Sequence, residues 1–262
     1  MLSLRSKAAA VGSAVALSAG LLFLTPAVGL ASAGHIATCA GGSIAGGTYD
    51  TLVVTGTCTV DSGSVLVRHN LQVRGGTLLA AFGGSDLTVD GSLSVIRNGI
   101  LVLGCEPNTG VTCLNDASLA TNDHVLGSLT AWYALAILVH HSTIDGNVVQ
   151  LGGGGGLNCN PVTRLFGSPA FATYEDTIVG GNLSIAGWQS CWLGLFRATV
   201  AGNVSFFFDT TADPDGNEIA TNTIGGNLTC WGNSPTPQVG DSGGVPNVVG
   251  GQATFQCASL TT

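Results

Sequence analysis

Charge is the scarcest property of this 262-residue chain: only 8% of its residues are charged, against roughly 25% in an ordinary globular protein. The charges present are mostly acidic, fifteen Asp and Glu against seven Lys and Arg, for a net charge of −8. Lys7 is the only Lys and Met1 the only Met. Seven cations cannot supply the basic footprint of a nucleic-acid binder, so no nucleic-acid partner is expected. The apolar fraction, 45%, excludes a disordered polyelectrolyte. Pro numbers only 8 and Gly does not recur at every third residue, which excludes collagen. No Cys-x-x-Cys pair occurs, which argues against zinc. The Gly152–Gly156 run is not followed by Lys-Ser/Thr, so it reads as a flexible loop and not as a phosphate loop. What is abundant is Gly, 40 residues, among Thr, Val, Ser and Asn.

Residues 1–33 read as a secretory signal peptide. Arg5 and Lys7 form the positive start, Ala8 to Leu24 the apolar run, Pro26 the break, and Ala31-Ser32-Ala33 the cleavage site. A membrane anchor needs about 20 apolar residues, and the run approaches that, but Pro26 and the Ala-x-Ala site favour cleavage. Residues 34–262 then form a single secreted domain with no further membrane span. Its cations are Arg68, Arg74, Arg97, Arg164 and Arg197, and it has no Lys. All eight Cys lie in this part, and an even count in an exported chain points to disulfides. Sequence order suggests Cys39–Cys58, Cys105–Cys113, Cys159–Cys191 and Cys230–Cys257. Each closes a local loop worth ~2–4 kcal/mol if unstrained.

The chain repeats one short pattern, approximately T-[IV]-x-G-N-[LV]-[ST]-[VIF]. Its clearest copies centre on Asn147, Asn182, Asn203 and Asn227, and weaker ones on Asn70, Ser92 and Gln252. Asn182 to Asn203 is 21 residues, Asn203 to Asn227 is 24, and Ser92 to Asn147 is 55. A period near 22 with few helix formers predicts one turn of a single-stranded parallel β-helix, an all-β β-solenoid pinned by disulfides. The apolar positions of the motif share one parity and should face the interior. Gly-Asn should form a corner, where both residues tolerate left-handed backbone angles, with the Asn side chains stacked in a ladder. Ala37 to Asp50 is expected to cap one end, and Ser234 to Val248 to form a long outward loop pinned by Cys230 and Cys257.

The Gly-Asn rungs, leader and paired Cys resemble those of secreted proteins from high-GC Gram-positive bacteria. The closest likeness is in Ile224-Gly-Gly-Asn-Leu-Thr-Cys-Trp and Pro246-Asn-Val-Val-Gly-Gly-Gln. More broadly, Ile44 to Leu260 resembles the right-handed parallel β-helices of the pectin-lyase-like kind. Bactofilins have a similar Ile-x-Gly-Asn rung, but they are shorter, cytoplasmic and without disulfides. The resemblance implies the architecture; this fold hosts many activities.

Candidates for chemistry are sparse. Asp90 and Asp145 both precede the rung Gly and would pair only on adjacent rungs. His69, beside Arg68 and Arg74, could meet an acidic sugar. His140 and His141 should face opposite sides of a strand, His140 being a possible general base but more simply a partly exposed side chain. Asp209, Asp213 and Asp215 offer oxygen ligands around a Gly turn, as calcium loops do, but without EF-hand spacing. The lyases that the resemblance suggests would need a Lys or Arg base near calcium-bound acids, and residues 34–262 have no Lys. Trp132, Tyr133, Trp188, Trp192 and Trp231 could stack on sugars or pack a disulfide loop. Thr88, Thr143, Thr199 and Thr223 would line up as a Thr ladder, broken at Ile178 and Val248. The sequence therefore favours an exported, non-catalytic scaffold or binder with no cofactor, whose partner is a polysaccharide or envelope component or a second copy along the axis. A carbohydrate-active lyase or hydrolase is the alternative.

Overall fold

A computed structural model describes residues 36–107, 111–240 and 243–262. The expected signal peptide, residues 1–33, lies outside the described residues. The described chain is a parallel β-helix built on three sheets. Sheet 1 has ten strands, from Ile36–Cys39 through Leu93–Ile96 and Leu183–Ala186 to Ala253–Phe255. Sheet 2 has eight, among them Ala136–His140, Phe171–Glu175, Trp192–Phe196 and Asn217–Ala220. Sheet 3 has nine, from Gly47–Tyr49 to Val248–Val249. The chain visits the sheets in that order and returns to sheet 1 one coil further on, so each strand pairs in parallel with its counterpart in the next coil.

The interior follows the expected parity. Val179, Leu183 and Ile185 are fully buried, as are Val200, Val204 and Phe206 in the next coil. No single coil can bury such a row alone, so burial arises between coils. One polar pair interrupts it: the Tyr174 hydroxyl donates to Gln150 Oε1 at 2.8 Å, both residues being buried. All four disulfides join Cys residues in the expected order.

Gly-Asn does form the corner between sheets 3 and 1, and the Asn side chains do form a ladder. Asn147 Oδ1 accepts the backbone N–H of Asn182 at 2.9 Å, Asn182 Oδ1 that of Asn203 at 2.8 Å, and Asn203 Oδ1 that of Asn227 at 2.9 Å. The reason for Gly differs from expectation. The corner Gly residues are absent from the left-handed set. At Gly202 a Cβ would stand 2.6 Å from Asn182 Oδ1 and 2.7 Å from the Gly181 carbonyl, so it is the close approach of the neighbouring coil that demands Gly.

The 55-residue step proves to be two coils. Ser128 N donates to Ser92 Oγ, 36 residues back, and Asn147 N to Ser128 Oγ, 19 residues back. The copy His124-Val-Leu-Gly-Ser128-Leu-Thr-Ala131 had been hidden by His and Ser in the Thr and Asn positions. Other expectations also change. Ala37 to Asp50 is no separate cap but contributes strands of the first coil, Ile36–Cys39 pairing with Thr51–Val54. The segment after Ser234 stays on the solenoid, through bridges Thr210↔Ser234 and Glu218↔Gln238. The Gly152–Gly156 run is not a free loop: all five residues have positive φ, and Gly154 and Gly156 donate to Ala134 O at 2.8 Å and Gln189 O at 3.0 Å. A Cβ on Gly153 would stand 3.0 Å from the buried Trp188 ring.

Candidate functional site

The outer face of sheet 2 gathers the densest polar grouping. Register places His140 beside Glu175 and Glu175 beside Phe196, while Thr173, Gly194 and Glu218 form the row two residues earlier. The chain then leaves the sheet through four stacked left-handed residues, His141, Asp176, Arg197 and Thr221, with φ of 44°, 50°, 48° and 63°. Non-Gly residues seldom adopt this conformation. Strand stacking sets successive coils about 4.8 Å apart, so imidazole, carboxylate and guanidinium stand in one column.

These groups form a continuous ionic chain. Arg197 donates to Asp176 through Nε at 2.8 Å and Nη2 at 2.6 Å, and also through Nη2 to Glu175. His140 Nδ1 lies 3.1 Å from Glu175 Oε2, off the ideal hydrogen-bond direction. His141 Nδ1 lies 2.8 Å from Glu106 Oε2, Glu106 being next to Cys105 of the Cys105–Cys113 disulfide. Burial, together with a hydrogen bond and charge from Asp176, pushes the Glu106 carboxyl upward against the pull of His141. Burial also acts to raise Glu175, but hydrogen bonds and charges from His140 and Arg197 outweigh it and hold that carboxyl low.

Beside this chain lies a cleft of about 470 Å³, lined among others by His140, Glu175, Thr173, Glu218 and the rings of Phe171, Trp192 and Phe196. Phe171 and Trp192 meet edge to face with centroids 5.8 Å apart. The indole is fixed: Trp192 Nε1 donates to Asp213 Oδ2 at 2.8 Å, and the preceding Cys191 is bonded to Cys159. Asp213 Oδ1 accepts the Asp215 N–H at 3.1 Å. The Trp192 and Asp215 bonds hold the Asp213 carboxyl below its ordinary range. Gly194 makes room for the Phe196 ring on the sheet surface, since a Cβ there would stand 2.2 Å from its Cε2.

Of the residues singled out from the sequence, His140, Asp213, Asp215 and Trp192 line this cleft. His140 is buried, at 1% exposure, not partly exposed as expected. Asp90 and Asp145 are kept apart by the coil carrying Leu126, because Thr88 pairs with His124 and His124 with Thr143. Asp145 instead meets His124 at 3.0 Å. His69 is exposed and does not gather its neighbours: Arg68 reaches Asp50 at 3.9 Å and Arg74 binds Gln72. Asp209 leaves the Asp213–Asp215 turn and accepts the buried backbone N–H of Trp188 at 2.8 Å. Among the described residues no three His, Cys, Asp or Glu are grouped so as to hold a metal ion. Trp188 is core, whereas Trp132, Tyr133 and Trp231 are exposed at the turn out of sheet 1. The Thr row of sheet 3 is broken by His124 as well as by Ile178 and Val248.

Sequence reasoning missed Glu106, Glu175, Asp176 and Arg197. A signal for the corner column existed: His141, Asp176, Arg197 and Thr221 each lie six residues before a rung Asn, namely Asn147, Asn182, Asn203 and Asn227. Gly240–Gly244 also has Gly-x-Ser-x-Gly spacing, with Asp241 and Ser242 outside the described residues. The described flanks hold neither the preceding strand nor the following helix of a nucleophile elbow.

Comparison with family models, curated proteins and solved structures gives no match to the chain. The β-helix itself stands on the strand pairing. Among the described residues no helix is long and apolar enough to cross a membrane.

Proposed function

We propose that the chain is an exported β-solenoid that binds a saccharide, without altering it, in the cleft over sheet 2. The observation that carries this reading is a fixed indole beside acidic acceptors: Trp192 is braced by Asp213 and by the ring of Phe171, and is 38% exposed. Aromatic faces stack on the apolar faces of sugar rings, while a few placed polar groups orient the hydroxyls. Four disulfides suit an oxidising compartment. The test is calorimetry of the disulfide-intact protein against neutral, acidic and amino oligosaccharides. Binding is expected for at least one class, with at least a tenfold loss in Trp192→Ala and an unchanged melting temperature. No binding by any class sinks the reading.

One observation favours hydrolysis instead. Burial and the neighbouring Asp176 push the Glu106 carboxyl upward, and a raised carboxyl can serve as a general acid. Release of reducing ends from a polysaccharide, lost in Glu106→Gln, would establish that reading in place of simple binding.

A further inference from the structure

We infer that the cleft selects saccharides carrying free amino groups, in their ammonium form. The inference rests on the saccharide-binding reading and follows from which hydrogen-bonding roles the cleft leaves open.

The side-chain donors around the cleft are engaged with its own carboxylates. Trp192 Nε1 is held by Asp213, and the Arg197 guanidinium by Glu175 and Asp176. His140 turns Nδ1 toward Glu175 Oε2 at 3.1 Å. His140 Nε2 is buried and has no partner, and the side chain lines the cleft at 1% exposure. An unmatched buried polar atom is costly, and a polar group of a ligand would satisfy it.

The other ionisable groups lining the cleft, Glu175, Asp213, Asp215 and Glu218, are carboxyls, which when ionised only accept. Among the described residues Thr173 is the one lining hydroxyl, and it can serve either way. A neutral or acidic sugar would bring acceptors of its own to a site with few donors to meet them. An ammonium brings three donors and a positive charge. It gains charge-assisted hydrogen bonds from the carboxylates and a cation–π contact with Trp192 and Phe171.

The test uses fully deacetylated and fully N-acetylated β-1,4-linked glucosamine tetramers, titrated into the disulfide-intact protein in parallel. The deacetylated tetramer should bind about tenfold more tightly or better, the factor corresponding to ~1.4 kcal/mol. Asp215→Asn, at an exposed position, should shrink that preference, and Trp192→Ala should abolish binding of both. Equal affinities would overturn the charge selection while leaving saccharide binding intact. Tight binding of the deacetylated tetramer that survives both substitutions would also overturn it, as simple attraction to an acidic protein. If neither tetramer nor any neutral or acidic sugar binds, the saccharide reading itself fails.

Discussion

At Gly202 and Asn203 the two halves of the repeat do different work. A methyl at Gly202 would press into the carbonyl of Gly181 and Oδ1 of Asn182, at 2.7 and 2.6 Å. Both are held by the ladder, so neither can yield without parting two coils. Asn203 donates both its N–H and its Nδ2 to Asn182 Oδ1 and accepts the Asn227 N–H through its own Oδ1, at an exposed edge where water can substitute. Gly202→Ala is therefore expected to cost ~1–3 kcal/mol, the range for overpacking. Asn203→Ala should cost ~0.5–1.5 kcal/mol. Denaturant unfolding with disulfides intact ranks the two, and the reverse order would refute close approach as the reason for Gly. Asn182, Asn203 and Asn227 each also begin an Asn-x-Ser/Thr glycosylation sequon, and their side-chain oxygens are ladder acceptors.

At the corner between sheets 1 and 2, a second ladder runs inside the protein. Asp209 Oδ1 accepts from Trp188 N, Asn233 Oδ1 from Asp209 N, and Gln256 Oε1 from Asn233 N, all at 2.8–2.9 Å. Asn233 also donates Nδ2 to Phe206 O at 2.9 Å. Asp209 has no such donor when ionised, and its Oδ2 is buried without a partner. Burial pushes its carboxyl up to about 7 despite the Trp188 bond. Asp123, buried beside sheet 3 and accepting from Leu87 N at 2.6 Å, is likewise pushed up by burial to about 7. A carboxyl raised in the folded state binds its proton more tightly there than in the unfolded chain. Its contribution is therefore fully present below the unfolded value near 3.8 and is lost as pH rises toward 7. The loss is on the order of 4 kcal/mol for each group, since one pKa unit is ~1.4 kcal/mol. Asp209→Asn restores the missing donor. It should raise the melting temperature at pH 8, leave it nearly unchanged at pH 4, and flatten the pH profile between them. An Asp209→Asn variant that melts lower at pH 8 would show that the carboxylate is tolerated through some other contact. Glu175 and Asp213, both held low, act in the opposite sense and favour the fold as pH rises above the ordinary carboxyl range.

Across the whole molecule, stability resides between coils, because each coil's apolar row is covered only by its neighbours. This also governs what the sequence reveals. A motif that must pack on its own copies is repeated, so the β-helix and its inward parity could be read from the Asn rungs, and the disulfide order from the order of the Cys residues along the chain. The copy at Ser128 escaped because His124 and Ser128 replace the motif's Thr and Asn together, whereas the Ser92 copy keeps Thr88. The cleft was harder to see because register, not proximity in sequence, brings His140, Glu175 and Arg197 together across coils of 35 and 21 residues. Glu106 enters from a non-repeated disulfide loop that no period marks. A stack also has ends, and one end is closed by residues 256–262. Leu260 is buried at 4% exposure, and its carbonyl accepts from both Asn247 N and Asn247 Nδ2 at 2.8 Å. Cys257 is bonded to Cys230 in the preceding coil. Beneath this lid lies the last strand of sheet 1, Ala253–Phe255, paired on one side only, with Leu228–Trp231. An uncovered edge with unpaired N–H and C=O groups is a template for another chain. Leu260→Asp places a charge where burial does not tolerate one and should lift the lid while Cys230–Cys257 keeps the coil attached. Light scattering across a concentration series should then show association in the variant and a monodisperse parent. If Leu260→Asp unfolds locally yet stays monodisperse, the lid does not guard the edge, and the stack end must be silenced by the twist and shortness of the Ala253–Phe255 strand alone.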